Sequence, residues 1–287
     1  MKKFLALAVL ATTASSFAAD RAIYDIMYLP KAGTAFGLTD FAGLSRTVED
    51  KDDDKTEVSG FGVNQTIGYS ITDRFALAGS LNYGDYEIDP DGGDKSTIDG
   101  FSDPTISAKF RMMEEEYTLD LFGALKISVG DSEVETDGDT DNLQGGHALD
   151  LGVQFGKKTE NFQWAVSGTF TRNFERTYDY EGTGGGDVDF DANNEIEFRG
   201  DILNKLAEKS FLRSHLAVSF SDELETDDGD SFESPSTDYT IGTEYQHLID
   251  ANLLLRAGVA FTMSNHDSGQ IDSDNAAVVN FGATYQF

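Results

Sequence analysis

Apolar residues in this chain recur at every second position over stretches of about ten residues. In 61–71 one parity holds Phe61, Val63, Gln65, Ile67, Tyr69 and Ile71, and the other holds Gly62, Asn64, Thr66, Gly68 and Ser70. In 119–129 the apolar parity is Leu119, Leu121, Gly123, Leu125, Ile127 and Val129, against Asp120, Phe122, Ala124, Lys126 and Ser128. In 253–263 it is Leu253, Leu255, Ala257, Val259, Phe261 and Met263. A period of two predicts strands, and strands of this length with one apolar face suit a barrel in lipid.

The connectors alternate between short and long. Short ones fall at 72–73, 113–116, 158–161, 204–210 and 249–251. Long ones fall at 49–57, 89–99, 131–146, 179–194, 222–237 and 266–275. Tight periplasmic turns alternating with long external loops are the pattern of transmembrane barrels. Eleven connectors imply about twelve strands, placed near 33–48, 58–71, 74–88, 100–112, 117–130, 147–157, 162–178, 195–203, 211–221, 238–248, 252–265 and 276–287. Asp40 interrupts the apolar parity of the first. The expected fold class is all-β, a transmembrane antiparallel up-and-down β-barrel of about 12 strands.

Residues 1–18 read as a signal peptide. Lys2 and Lys3 precede the apolar run 4–11, and Ser16-Phe17-Ala18 presents small residues where a signal peptidase reads, so cleavage is expected after Ala18. The run is too short to span a bilayer as a helix. Later apolar runs, such as 251–260, are broken by Asn252, Arg256 and Gly258. Residues 19–32 form a lead segment before a single barrel domain, 33–287. Ile23, Tyr24, Ile26, Met27 and Tyr28 in the lead suit either the periplasmic rim or the lumen.

Charge sharpens the picture. The chain carries 52 acidic and 21 basic residues, and losing Lys2 and Lys3 takes the net charge from −31 to −33. Such a chain repels nucleic-acid phosphates. The 21 Phe and 11 Tyr exclude an acidic disordered chain. Thirty-one of the acidic residues lie in the six long connectors, so the acidity marks one end of the barrel, the end expected to face outside. With no cysteine, disulfides, thiolate metal sites and cysteine nucleophiles are excluded.

The final residues, Asn280-Phe281-Gly282-Ala283-Thr284-Tyr285-Gln286-Phe287, resemble the C-terminal assembly signal of Gram-negative outer-membrane barrels, with Asn280, Gly282, Tyr285 and Phe287 filling its pattern. The resemblance implies the barrel-assembly machinery as a partner in biogenesis. A looser resemblance, over about a tenth of the chain, is to the outer-membrane transporter family associated with phenol meta-pathway gene clusters. It is carried by Gly100-Phe101-Ser102-Asp103 leading into a strand that ends Lys109-Phe110-Arg111, and by the turn Tyr69-Ser70-Ile71-Thr72-Asp73-Arg74-Phe75. It implies a transporter of unassigned substrate.

If Phe287 faces lipid, the apolar-out rule turns Asp103, Lys109, Arg111, Asp120, Lys126, Asp150, Glu195, Glu197, Arg199, Asp201, Arg213, Glu244 and Arg256 into the lumen, seven acidic and six basic. Such a set reads as a selective constriction or as ion pairs that brace and fill the barrel. Asp137, Asp139 and Asp141 space three carboxylates two apart, as a hard cation prefers, yet lack the glycine and distal glutamate of an EF-hand. Loosely held Ca²⁺ or Mg²⁺ is the one cofactor to consider. His266-Asp267-Ser268 lies in an acidic loop, a poor support for a hydrolytic triad, so no enzyme is expected. The sequence leads to an outer-membrane channel or transporter for small solutes, cation-preferring and surrounded by outer-membrane lipid and lipopolysaccharide. The alternative is a non-conducting structural or surface-interaction barrel with cation-binding loops.

Overall fold

The computed structural model describes residues 22–51, 54–130, 132–134, 140–141, 146–180, 187–226, 231–267 and 271–287. Residues 1–18, expected to be a signal peptide, lie outside them. Twelve strands form the barrel wall: β1 (Ala35–Asp50), β2 (Lys55–Thr72), β3 (Phe75–Pro90), β4 (Thr105–Glu114), β5 (Thr118–Lys126), β6 (Ala148–Lys158), β7 (Phe162–Asn173), β8 (Asn193–Ala207), β9 (Ser210–Ser221), β10 (Ser236–Asp250), β11 (Leu253–His266) and β12 (Ile271–Gln286). Each pairs antiparallel with its neighbour in sequence, and β1 pairs with β12 from Phe36↔Gln286 to Asp50↔Ile271, which closes the cylinder. Closure satisfies every strand's backbone groups within the wall, as hydrocarbon requires.

The two faces differ as the alternation demands. Phe41, Ile67, Leu121, Phe198, Leu216 and Phe281 point outward and are exposed. The opposite parity holds buried Asp40, Lys109, Arg111, Asp120, Gln154, Asp201 and Gln246. Asp40, which breaks the apolar parity of the first strand in sequence, lies on the inward parity of β1, beside outward Phe41.

Nine to eleven tilted residues cross a bilayer, and several strands are longer, with β1 and β3 of 16 residues and β2 of 18. The excess stands outside the membrane at the loop end, so the long connectors expected at 49–57 and 89–99 are partly strand. The strand expected at 100–112 is broken at 102–104, and its outer piece, Ser96–Phe101, pairs with β3. The one expected at 117–130 ends at Lys126. Above the barrel, Thr140–Asp141 pairs parallel with Ser96–Phe101, and Ser132–Val134 pairs parallel with Arg176–Tyr180. Three loops are thus knitted into one collar.

The short turns lie at the opposite end, beside both ends of the wall. There the lead segment enters the cylinder. Ile23, Ile26, Met27 and Tyr28 are buried against Ala165 of β7, Leu203 of β8, Phe211 of β9 and Leu254 of β11. Leu29 packs with Phe36, Ala76 and Ala78 on β1 and β3. The lead therefore lies across the mouth at the short-turn end rather than along its rim.

Candidate functional site

The lumen is the candidate site, and its charges are organised in nodes. At the first node, the buried carboxylate of Asp120 on β5 accepts Arg111 Nε at 2.9 Å and Arg111 Nη2 at 3.1 Å, and Lys109 Nζ stands 3.0 Å away. At the second, Asp201 on β8 accepts Nε and Nη2 of Arg199 at 3.0 and 3.1 Å, and Arg213 of β9 donates from Nε at 2.9 Å. At the third, Arg256 of β11 bonds Asp40 of β1 at 2.5 Å and lies 3.7 Å from Glu244 of β10. Gly282 makes that pairing possible. It sits on β12 between β11 and β1, and a Cβ there would meet Asp40 Oδ1 and Arg256 Nη2. Two cations share one carboxylate at each of the first two nodes, and one cation serves two carboxylates at the third. The alternation keeps the buried charge balanced, because an unpaired buried charge is costly.

Higher in the lumen the balance shifts to acidic. Glu195 on β8 stands within electrostatic reach of Glu197, of Asp150 on β6 and of Asp238 on β10. Asp150 accepts a hydrogen bond from Thr171 at 2.7 Å. Among the described residues, neither Glu195 nor Glu197 makes an ion pair or hydrogen bond. Lys126 lies near Asp103 and Asp150. Asp103 accepts the Val129 amide at 3.0 Å where β5 has ended, so it also fixes the break in the wall after Phe101. Of the thirteen residues expected in the lumen, Asp103 is buried in the break at 102–104, and the other twelve lie on strands, on the parity opposite their exposed apolar neighbours. The structure brings Lys109, Arg111, Asp120 together, likewise Arg199, Asp201, Arg213, and Glu244 with Arg256. Glu195 stands among other carboxylates, and Glu197 lies between it and the second node, within electrostatic reach of Arg199 and Asp201.

Sequence reasoning missed several lumenal groups. Asp40 carries the same parity signal as its neighbours Leu38 and Phe36 and belongs with the set. Arg46 of β1 bonds Asp274 of β12 at 2.8 and 2.5 Å, and His266 Nε2 lies 3.0 Å from the same carboxylate. Asp274 sits in what reads as a connector in sequence. His266 is thereby engaged in a brace across the seam. Ser268 lies outside the described residues, as do Asp137 and Asp139, while Asp141 pairs through its backbone with Asp99. Among the described residues, no group of three His, Cys, Asp or Glu is placed to hold a metal ion.

The lead segment is held by polar as well as apolar contacts. Asp25 bonds Lys158 Nζ at 2.8 Å and the Gln163 amide. Gln163 Oε1 accepts the Ile26 amide at 3.1 Å. Arg111 Nη2, already bound to Asp120, donates to the Met27 carbonyl at 2.6 Å. Gln286 of β12 donates to the Tyr28 hydroxyl. Burial pushes the Asp25 carboxyl above its ordinary range, and the Lys158 ammonium pulls it partway back.

No protein-family model matches the chain, and no curated protein sequence matches it. Solved structures do. The COG4313 outer-membrane channel from Pseudomonas putida F1 superposes with a TM-score of 0.67 at 13% identity, over 94% of this chain and 98% of that one. The transport unit of the autotransporter AIDA-I from Escherichia coli gives 0.54 at 12%, over 90% and 91%. The NanC porin gives 0.50 at 8%, over 86% and 98%. The fold is that of a Gram-negative outer-membrane β-barrel. Channel, porin and autotransporter share it, so any functional argument must come from this barrel's own residues.

Proposed function

We propose that this barrel is an outer-membrane channel or transporter for small solutes, with a preference for cations. The observation that carries this reading is the acidic patch of Glu195, Glu197, Asp150 and Asp238 inside the wall, below six acidic loops. Carboxylates that outnumber the nearby cations, here Lys126 and Arg199, in a confined, low-dielectric passage raise the local concentration of positive solutes.

A second reading has its own support. The paired carboxylates Asp120 and Asp201 are almost fully buried, and the lead crosses the mouth below them. A resting barrel closed at that level would conduct little, as in a structural barrel. Flux into proteoliposomes separates the two. With the refolded protein, a small monocationic dye is expected to equilibrate several-fold faster than a monoanionic dye of equal size. No protein-dependent flux of either dye, from a heat-modifiable and therefore folded barrel, would overturn the channel reading.

A further inference from the structure

The lead segment has the parts of a hinged door. Its base is tied to the wall by backbone. The Thr34 carbonyl accepts the Ser70 amide of β2 at 3.0 Å, and Gly33 N bonds the Ser70 carbonyl at 2.8 Å. Ala32 N bonds Asp73 in the β2–β3 turn at 3.0 Å. Gly33 has φ of +82°, in the left-handed region that a side chain would strain. The chain therefore reverses at one small residue, with fixed anchors on both sides of it.

The blade, residues 23–29, is attached differently. Hydrogen bonds from it to the wall run through the side chains of Lys158, Gln163, Arg111 and Gln286, and its one backbone pairing is an isolated β-bridge at Tyr28. Tyr24 stacks on Phe211 with ring centroids 3.9 Å apart. Side-chain bonds of this kind can be exchanged for water without unzipping a strand ladder, whereas the barrel strands cannot leave the wall so cheaply. The tip is held most firmly at Asp25, whose carboxylate side is fully covered and faces Lys158 of β6. Arg111 links the blade to the first charge node, because one guanidinium holds both Asp120 and the Met27 carbonyl.

We propose that the lead is a door that closes the periplasmic mouth, swinging on residues 30 and 31 between the anchored base and the blade, and latched by Asp25 to Lys158 and Gln163. The inference rests on the channel reading and adds its regulation: a solute passes when the latch opens. Disturbance of Arg111 by a solute at the node would weaken one of the blade's bonds, so occupancy above and opening below are coupled through a single side chain.

The cysteine-free chain gives a clean test. Asp25→Cys and Lys158→Cys in one protein can be joined by a short bis-methanethiosulfonate and released with dithiothreitol, the joined fraction being read by mass spectrometry. Conductance in planar bilayers is expected to fall about tenfold when the pair is joined and to recover on release. A variant lacking residues 22–31 is expected to conduct continuously. If the joined and released proteins and the deletion variant all conduct alike, the door is overturned and the channel stands. If the deletion variant folds and stays silent, the channel reading fails and the door with it.

Discussion

At the scale of single residues, the lumen is governed by shared carboxylates. Asp201 holds two arginines, so replacing it takes from both their hydrogen-bonded carboxylate and leaves only the more distant Glu244 and Glu197. Asp201→Ala is expected to destabilise the barrel by about 3–5 kcal/mol, the cost of leaving buried charge without its partner. Urea unfolding followed through the one tryptophan, Trp164, measures this, and an unchanged midpoint would mean that water already satisfies Arg199 and Arg213. Which residues face inward was legible in the sequence, because lipid accepts only apolar groups outside and the strand period then sets the rest. Asp120, between Leu119 and Leu121, and Lys126, beside outward Leu125, show it. Which charges pair was not legible. The bond from Asp40 to Arg256 spans β12, and it depends on register, strand order and the missing side chain of Gly282 together.

At the scale of elements, the lead segment shows what periodicity misses. Its residues Ile23 to Tyr28 are equally suited to a rim and a lumen until the wall provides a site. The signal that places them is a set of exceptions elsewhere: Leu203, Phe211 and Leu254 are apolar residues on inward parities near the periplasmic ends of β8, β9 and β11. A polar-lined barrel has no use for them unless something apolar docks there. Outer strand lengths escaped for a related reason, since hydropathy marks where lipid ends and the ladders of β1 to β3 continue past it. Docking of the lead also carries a pH signature. The Asp25 carboxyl is raised above its ordinary value of 3.8 in the docked state, so proton uptake favours docking. That contribution is fully present below about pH 3.8 and is lost as pH rises through the docked value. Lys158 is the charged group facing it. Acidification is therefore expected to lower the open fraction of the channel, and Asp25→Asn to remove that part of the dependence. A wild-type pH profile unchanged in Asp25→Asn would show that Asp25 does not report docking.

At the scale of the whole molecule, a net charge of −31 is distributed unevenly. The outer loops and the patch around Glu195 are acidic, while the nodes nearer the periplasm are balanced by arginine and lysine. A solute from outside therefore meets negative potential first and a paired network afterwards. The screening length falls to about 3 Å at 1 M salt, so selection by the exposed loops should fade there, and selection by the enclosed Glu195 and Glu197 should persist. The measurement that bears most directly on the channel reading is the zero-current potential of the refolded protein in a planar bilayer under a KCl gradient. It should be compared with that of the double variant Glu195→Gln, Glu197→Gln. Conductance steps are expected, with a potential of cation-selective sign that moves toward zero in the variant. Conductance with an anion-selective sign, or one that the double variant leaves unchanged, would contradict the role given to the acidic patch.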